Sequence, residues 1–358
     1  MSNKEKKIKY SIIASLIISI IIILLILYLT VDTDDIELLK NRDIHYEFFI
    51  IAAFFNFLSW CLWGLRLKIL SNAIDKKVKI TWWKSTKIVM ANLFLAGVTP
   101  SMAGGEPVRI YLLAKEGMST GCATASTLGE RLLDAIFLII CVPIAMFILR
   151  NNLSEFGIVG VGLTIGVIVF LIAIFLFFYA VFRPKKIKRM IIWISNKLSR
   201  FSKKKEKQKK VIERINREVD NFHCSMMIFL KEKKSVFLAS GMITIFMWLS
   251  GWLIASFILM GLDLNPFVID SIAVQVFLII IIMMPTTPGA SGVNEGSSSV
   301  LYYFIIGQEN SYLLGIFVLI FRIITYYFNL IIGAIFQYKI FKSFASFSLD
   351  ALKNKDER

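Results

Sequence analysis

Long, uncharged apolar segments recur along the chain and predict helices that cross a membrane. A helix needs about 20 apolar residues to span the hydrocarbon core of a bilayer. Complete crossings are expected at residues 10–31, 48–65, 132–149, 157–182, 235–261 and 323–338. The first segment is too long for the apolar part of a signal peptide and lacks a small-residue cleavage site. The pattern therefore predicts an all-α polytopic membrane protein with about six full transmembrane helices.

Two further apolar segments, 88–114 and 271–307, are interrupted by proline and glycine. Each interruption contains Thr-Pro, a glycine four residues after the proline, and then a glutamate. The residues expected at the two turns are Pro100, Gly104, Gly105, Pro285, Pro288, Gly289 and Gly292. Proline removes a backbone donor, so such breaks survive at membrane depth only when protein or a wet cavity surrounds them. Each segment is therefore expected to form a re-entrant helical hairpin.

Basic residues in the loops set the expected orientation. Residues 66–87 carry seven Lys or Arg against one acidic residue, and residues 183–234 carry 18 against five. Residues 31–47 carry six acidic residues against two basic ones. The protein is expected in the cell membrane. Because cytoplasmic loops are rich in Lys and Arg, both termini and the two basic loops are expected on the cytoplasmic side.

Counting crossings between these loops gives the two hairpins opposite orientations. The chain then reads as one membrane domain with a first half at 1–182, a basic cytoplasmic loop at 183–234, a second half at 235–338 and a cytoplasmic tail at 339–358. Opposed halves of this kind are the inverted repeat of secondary transporters, in which paired helix breaks point to the transport site.

Composition excludes a soluble domain, since 57% of the 358 residues are apolar and the mean hydropathy is +0.70. The net charge of +16 lies mostly in the 183–234 loop. It therefore indicates topology and contact with anionic lipid headgroups, and not nucleic acid. Four cysteines and two histidines show no ligand spacing, so neither a metal site nor another cofactor is expected.

Charged residues inside or beside the apolar segments are the candidates for substrate contact. They are Glu106, Arg109, Glu130, Arg131, Asp134, Glu295 and Arg322. A charge at membrane depth costs about 2.5 to 3.5 kcal/mol on insertion scales, so each should be paired or face water. One interpretation is structural: Glu130, Arg131 and Asp134 would pair with one another or with Arg322. The other is a path for a charged group.

The functional interpretation is stronger for Glu106, Arg109 and Glu295, because they adjoin broken helices whose free N–H groups attract anions. Catalysis finds less support. Ser291 sits in a Gly-Ala-Ser-Gly sequence that could present a serine nucleophile, but no histidine follows it to act as a base. No P-loop or HExxH motif occurs. The protein is therefore not expected to be an enzyme.

Two motifs resemble those of the flippase-like family related to the transmembrane domain of lysylphosphatidylglycerol synthases. The first is an Asn before Pro...Gly-Gly-Glu-x-x-Arg, then Leu-Leu, Gly and an Ala-Ser...Glu-Arg-x-x-Asp helix. It is met by Asn92, Pro100, Gly104, Gly105, Glu106, Arg109, Leu112, Leu113, Gly117, Ala125, Ser126, Glu130, Arg131 and Asp134. The second is a Pro-x-x-Pro-Gly-x-x-Gly-x-x-Glu turn, met by Pro285, Pro288, Gly289, Gly292 and Glu295. Ala290 departs from relatives that repeat glycine.

The resemblance implies movement of a charged-headgroup phospholipid or a lipid-linked sugar between leaflets. Lipid aminoacylation is not expected, since no soluble transferase domain follows the last helix. Two alternatives stay open: a membrane subunit that presents lipid-linked substrate to a partner glycosyltransferase or other lipid-modifying enzyme, and a regulator that binds anionic lipids. The expected partners are membrane lipids. The cargo, direction, energy source and oligomeric state are left open.

Overall fold

The computed structural model of the protein describes residues 42–75, 78–99, 104–150, 234–283 and 287–336, with a few isolated positions besides. Within these ranges all regular secondary structure is helical. Several predictions lie outside them, namely the spans at 10–31 and 157–182, the basic loop before residue 234, the tail at 339–358, and the prolines Pro100 and Pro285.

In chain order the described helices are α1 (Tyr46–Ile74), α2 (Trp82–Gly97), α3 (Gly105–Lys115), α4 (Thr120–Ile148), α5 (Lys234–Gly261), α6 (Val268–Met283), α7 (Val293–Ile306) and α8 (Leu314–Arg322). A 3-10 segment, Gln308–Leu313, leads into α8, and a π-helical turn, Ile323–Tyr327, follows it. The helical segment Gln308–Phe336 is called the last span below. Polar residues begin two of the helices, since Thr81 accepts from the Lys84 N–H and Ser119 from the Cys122 N–H.

Four of these segments are long and apolar enough to cross a membrane, namely α1, α4, α5 and the last span. They correspond to four of the six expected crossings and agree with a polytopic membrane protein. The expected loop at 66–87 is wrong in its first part, because α1 continues to Ile74 and buries Arg66 completely. The charge of Arg66 is paired inside the protein, which a count of basic residues does not reveal.

Helices α1 and α5 form an antiparallel pair. The His45 N–H, just before α1, donates to the Gly261 carbonyl at the end of α5 (3.0 Å). Further along, the rings of Phe55 and Phe257 lie 4.8 Å apart. The largest apolar core then joins α5 to α4, α6, α7 and α8. Burial of this apolar surface holds the two halves of the chain together.

The first interrupted segment folds as two antiparallel helices, α2 and α3. At the closed end, Gly105 packs so tightly on Asn92 that an added Cβ would lie 2.1 Å from its Oδ1. At the open end, Lys84 Nζ lies 2.6 Å from Glu116 Oε2. Thr99 connects the two helices, because its hydroxyl donates to the Leu95 carbonyl (2.7 Å) and accepts from the Gly104 N–H (2.9 Å).

The second interrupted segment has the same form in α6 and α7. The Tyr302 hydroxyl bridges the helices through Ser271 Oγ (2.7 Å) and Gln275 Nε2 (3.0 Å). Its turn contains left-handed backbone at Gly289, Ala290 and Gly292, with φ of 63°, 50° and 89°. Ala290 therefore occupies a conformation that favours glycine, at the position where the chain departs from the family motif.

The two helix pairs open toward opposite ends of α1. Near the end of α1, Asn72 exchanges hydrogen bonds with Ile80, which leads into α2 (3.0 and 2.8 Å). Beyond the start of α1, Arg42 donates to the Leu262 carbonyl (2.7 Å) and to the Tyr312 hydroxyl (2.8 Å), beside the open end of α6 and α7. This opposed arrangement is the geometry an inverted repeat requires. Two statements stay predictions: each helix pair is re-entrant in a bilayer, and the open end of the first pair is cytoplasmic.

Candidate functional site

Charged side chains from α1, α3 and α4 converge beside the first helix pair. The members of this charged cluster are Arg66, Glu106, Arg109, Glu130, Arg131 and Asp134. With three arginines and three carboxylates, its formal charge is zero. Each helix supplies the residues that its own period places on the shared face, as Glu130 and Asp134 lie one turn apart on α4.

Arg66 occupies the inner part of the cluster. Its Nη1 lies 2.5 Å from Asp134 Oδ1, and its Nε lies 3.3 Å from Glu130 Oε1. Helix α5 completes the arrangement, since Thr244 Oγ1 accepts from Arg66 (3.1 Å) and Trp248 Nε1 donates to Asp134 (3.0 Å). Charges removed from water in this way are stable only when paired and hydrogen-bonded, and Arg66 meets that requirement.

Arg109 is buried just as completely but is only partly satisfied. Its Nη1 lies 2.5 Å from Glu130 Oε2, and its guanidinium lies over the Trp63 ring at 5.2 Å. Its Nε and Nη2 have no hydrogen-bond partner in the part of the chain that the structure describes, and the same holds for Asn92 Oδ1 and Ser126 Oγ. Buried donors without acceptors cost free energy, and these two nitrogens of Arg109 carry three N–H groups between them.

Glu106 and Arg131 form the accessible edge of the cluster. Arg131 Nε lies 2.6 Å from Glu106 Oε1, and Arg131 Nη1 lies 3.5 Å from Asp134 Oδ2. Their side chains remain 41% and 36% exposed, respectively. A charged group that approaches from this side would reach Glu106 and Arg131 before the buried Arg109.

A second ion pair lies beside the other helix pair. Arg322 Nε lies 2.8 Å from Glu295 Oε1, and both side chains are buried. The pair is held on each side: Glu295 Oε2 accepts from the Gly292 N–H (2.6 Å), and Arg322 donates to Ser291 Oγ (3.3 Å). Arg322 also lies over the Tyr326 ring at 3.9 Å. Glu295 is thus both a helix cap and an ion-pair partner.

The turns of the two helix pairs touch. Tyr326, in the π-helical turn, donates from its hydroxyl to the carbonyl of Gly97 at the end of α2 (3.1 Å). Gly289 faces the same point, since an added Cβ there would lie 2.6 Å from the Gly97 oxygen and 2.5 Å from the Tyr326 hydroxyl. The contact between the turns therefore depends on a glycine at position 289.

The π-helical turn that carries Tyr326 is anchored from α1. Its carbonyl at Ile324 accepts from Asn56 Nδ2 (2.8 Å), which also contacts Asn329 Oδ1 (3.0 Å). A π-turn disturbs the regular hydrogen bonds of a helix and often marks a functional position. Here it follows directly after Arg322.

The structure divides the candidate residues differently from the sequence. Glu106, Arg109 and Glu295 share a position beside the helix breaks in the sequence, and in the structure Glu106 and Arg109 contact Arg131 and Glu130, respectively. Arg322 pairs with Glu295, not with the Glu130 group. Arg66 was missed, although an arginine directly after a strongly apolar run, followed by Leu-Lys-Ile-Leu, was a usable signal for a longer helix. The backbone of Gly104, Gly105, Pro288, Gly289 and Gly292 lies at the turns, as expected.

A model of the lysylphosphatidylglycerol synthase transmembrane region matches residues 12–333. The chain belongs to this family. A membrane protein of Archaeoglobus fulgidus, known as a UPF0104 membrane protein, is 31% identical over 296 residues, which cover 82% of this chain and 87% of the relative. This family membership confirms the resemblance inferred from the two motifs.

Two UPF0104 membrane proteins of Methanothermobacter thermautotrophicus are also similar. One is 27% identical over 71% of this chain and 75% of its own length. The other is 26% identical over 66% of this chain and 67% of its own length. No solved structure matches the chain. The family model, at residues 12–333, extends over the charged cluster and both helix pairs.

Proposed function

We propose that this protein moves a lipid with a charged headgroup between the leaflets of the membrane. The headgroup would pass between the two helix pairs while the acyl chains stay in the surrounding lipid. The observation that carries this proposal is Arg109, which is fully buried beside the first helix pair and has two donor nitrogens without a partner among the described residues. No covalent step is part of the proposal.

The free donors of Arg109 suit a phosphate group. A guanidinium presents its N–H groups in a plane that matches phosphate oxygens. The first turn of α3, which begins four residues before Arg109, adds backbone N–H groups and the positive end of a helix dipole. A phospholipid or a lipid-linked sugar would bring such a phosphate, and a free phosphate ion would share the same chemistry.

The carboxylates suit a cationic part of the headgroup. Glu106 is 41% exposed at the edge of the charged cluster, where an amine could exchange for Arg131 as its partner. The cluster is formally neutral. A zwitterionic or mixed headgroup that leaves water could therefore find a partner in the cluster for each of its charges, in place of the pairs within the cluster. The family's name refers to lysylphosphatidylglycerol synthase, which supports a lipid as the cargo.

The decisive test is translocation by the purified protein in proteoliposomes. Fluorescent lipids that differ only in headgroup would be compared by bleaching the outer leaflet with a membrane-impermeant reductant. The variant Arg109→Gln/Glu130→Gln removes the candidate phosphate ligand together with its partner carboxylate, so no unpaired charge is left buried. We expect normal folding and at least a tenfold loss of translocation for one headgroup class.

The matched control is Lys84→Gln/Glu116→Gln, which removes the exposed ion pair at the open end of the same helix pair. We expect it to translocate lipid at the normal rate. Full activity in a well-folded Arg109→Gln/Glu130→Gln protein would contradict the assigned site. Failure of the unmodified protein to move any headgroup class, with binding of free phosphate retained, would contradict a lipid cargo.

A further inference from the structure

We infer that Glu106–Arg131 and Glu295–Arg322 are equivalent ion pairs that become exposed in alternation. The structure is then the state in which the Glu106–Arg131 ion pair is exposed and the Glu295–Arg322 ion pair is buried. This inference rests on the proposed passage of cargo between the two helix pairs. It assigns the two ion pairs to the two ends of one path.

The two pairs occupy the same place in the two halves of the chain. Each glutamate lies in the first turn of the second helix of its pair, α3 or α7. Each arginine comes from the next long span, α4 or the last span. The Nε to Oε1 distances are alike, at 2.6 and 2.8 Å. Because the helix pairs open toward opposite ends of α1, the two ion pairs are related as an inverted repeat requires.

The surroundings of the two pairs differ sharply. The Glu106 and Arg131 side chains are 41% and 36% exposed, whereas those of Glu295 and Arg322 are 0% and 3% exposed. The asymmetry is what one state of an alternating device looks like, since its other state exchanges the two environments.

A physical connection between the pairs passes through the touching turns. Arg322 lies over Tyr326, and the Tyr326 hydroxyl holds the Gly97 carbonyl at the end of α2. A movement that exposed Arg322 would therefore break the hydrogen bond to Gly97. The first helix pair could then move and bury Glu106 and Arg131. The π-helical turn at Ile323–Tyr327 provides a place where the last span can change its register.

Desolvation makes the two states comparable in free energy. Burying an ion pair costs hydration that its mutual attraction repays only in part. Each state buries one pair and exposes the other, so the two costs offset one another. Replacing one ion pair by neutral side chains would lower the free energy of the state that buries that pair. Neutralising Glu106–Arg131 should thus expose Glu295–Arg322, and neutralising Glu295–Arg322 should keep that pair buried.

The test uses two reporter cysteines in a protein whose native cysteines are replaced by serine. Ser291→Cys reports on the second pair, because Ser291 is buried and its hydroxyl accepts from Arg322. Ala135→Cys, one turn after Arg131 on α4, reports on the first pair. The rate of labelling by a small charged thiol reagent would be measured in lipid nanodiscs, where both faces of the membrane meet the reagent.

In the otherwise unmodified protein, we expect Ala135→Cys to label rapidly and Ser291→Cys slowly. Adding Glu106→Gln/Arg131→Gln should raise the Ser291→Cys rate about tenfold and lower that of Ala135→Cys. That change removes one charge of each sign, so the rest of the charged cluster remains neutral. The matched variant Glu295→Gln/Arg322→Gln should have the opposite effect and leave Ser291→Cys protected.

Two outcomes would overturn the inference. If Ser291→Cys stayed protected in every variant, the second pair would be a fixed structural contact. If both neutralised variants raised its labelling, the changes would only have loosened the fold. Labelling does not depend on the cargo. Reciprocal labelling without lipid translocation would therefore support the alternation and contradict a lipid cargo. Lipid translocation without reciprocal labelling would support the lipid cargo and contradict the alternation.

Discussion

Arg66 and Glu130 are 64 positions apart in the sequence, yet the Arg66 Nε lies 3.3 Å from the Glu130 Oε1, and neither side chain is exposed. Arg66 also contacts Asp134. Through these contacts one arginine of α1 bridges two carboxylates of α4. This relationship ties the first long helix to the charged cluster and makes Arg66 a positioning residue for the candidate site.

Arg66→Leu should destabilise the protein strongly, because it leaves buried carboxylates with too few positive partners. The expected loss in the free energy of unfolding is about 3 to 5 kcal/mol. Thermal unfolding of the detergent-solubilised protein would measure it. The control is Lys68→Leu, two residues along α1 and outside the cluster. Equal effects of the two changes would argue against a special role for Arg66.

The opposed opening of the helix pairs predicts a labelling pattern in intact cells. Single cysteines at Asp75 and Thr120 flank the first helix pair and should react from the cytoplasmic face. Single cysteines at Asn265 and Glu309 flank the second and should react from outside. Reaction of the first two positions from opposite faces would show that α2 and α3 together cross the membrane, and would remove the inverted repeat.

Gly289→Ala should separate the two turns. The added methyl group would meet both the Gly97 carbonyl and the Tyr326 hydroxyl, and the backbone there has a φ of 63°, which alanine disfavours. We expect at least a tenfold loss of lipid translocation with a stability loss of about 1 to 3 kcal/mol. The measurement is the headgroup-specific bleaching assay combined with thermal unfolding.

Gly296→Ala provides the control for that change, because nothing lies within 4 Å of its added Cβ and it sits inside α7. Alanine at a helix interior should raise stability by about 0.5 to 1 kcal/mol. Full translocation by Gly289→Ala would mean that contact between the turns has no part in transport.

Asn56→Leu should loosen the π-helical turn. The change removes the donor to the Ile324 carbonyl and leaves that buried acceptor unsatisfied, at a cost of about 1 to 3 kcal/mol. Amide hydrogen exchange would then rise at residues 323–329 before it rises elsewhere in the last span. Ser59→Ala is the matched control, because among the described residues the Ser59 hydroxyl bonds within α1, to the Asn56 carbonyl. A uniform rise along the whole span would contradict a local anchor.

Local sequence determined the helices and their breaks. Apolar runs long enough to cross a bilayer produced α1, α4, α5 and the last span, since helix formation and burial in lipid depend on nearby residues. Thr-Pro and glycine placed the two turns for the same reason. The motifs around Glu106 and Glu295 were also sufficient to recognise the family.

Tertiary structure alone decided which charges meet and which are exposed. The positive charge of Arg66 argued for a loop, because a count of basic residues contains no information about carboxylates on a helix 64 positions away. Arg322 could not be assigned to Glu295 until the last span was packed beside α7. The exposure of one Glu–Arg pair and the burial of its counterpart follow from how the helices pack, and two similar local sequences cannot by themselves specify different surroundings.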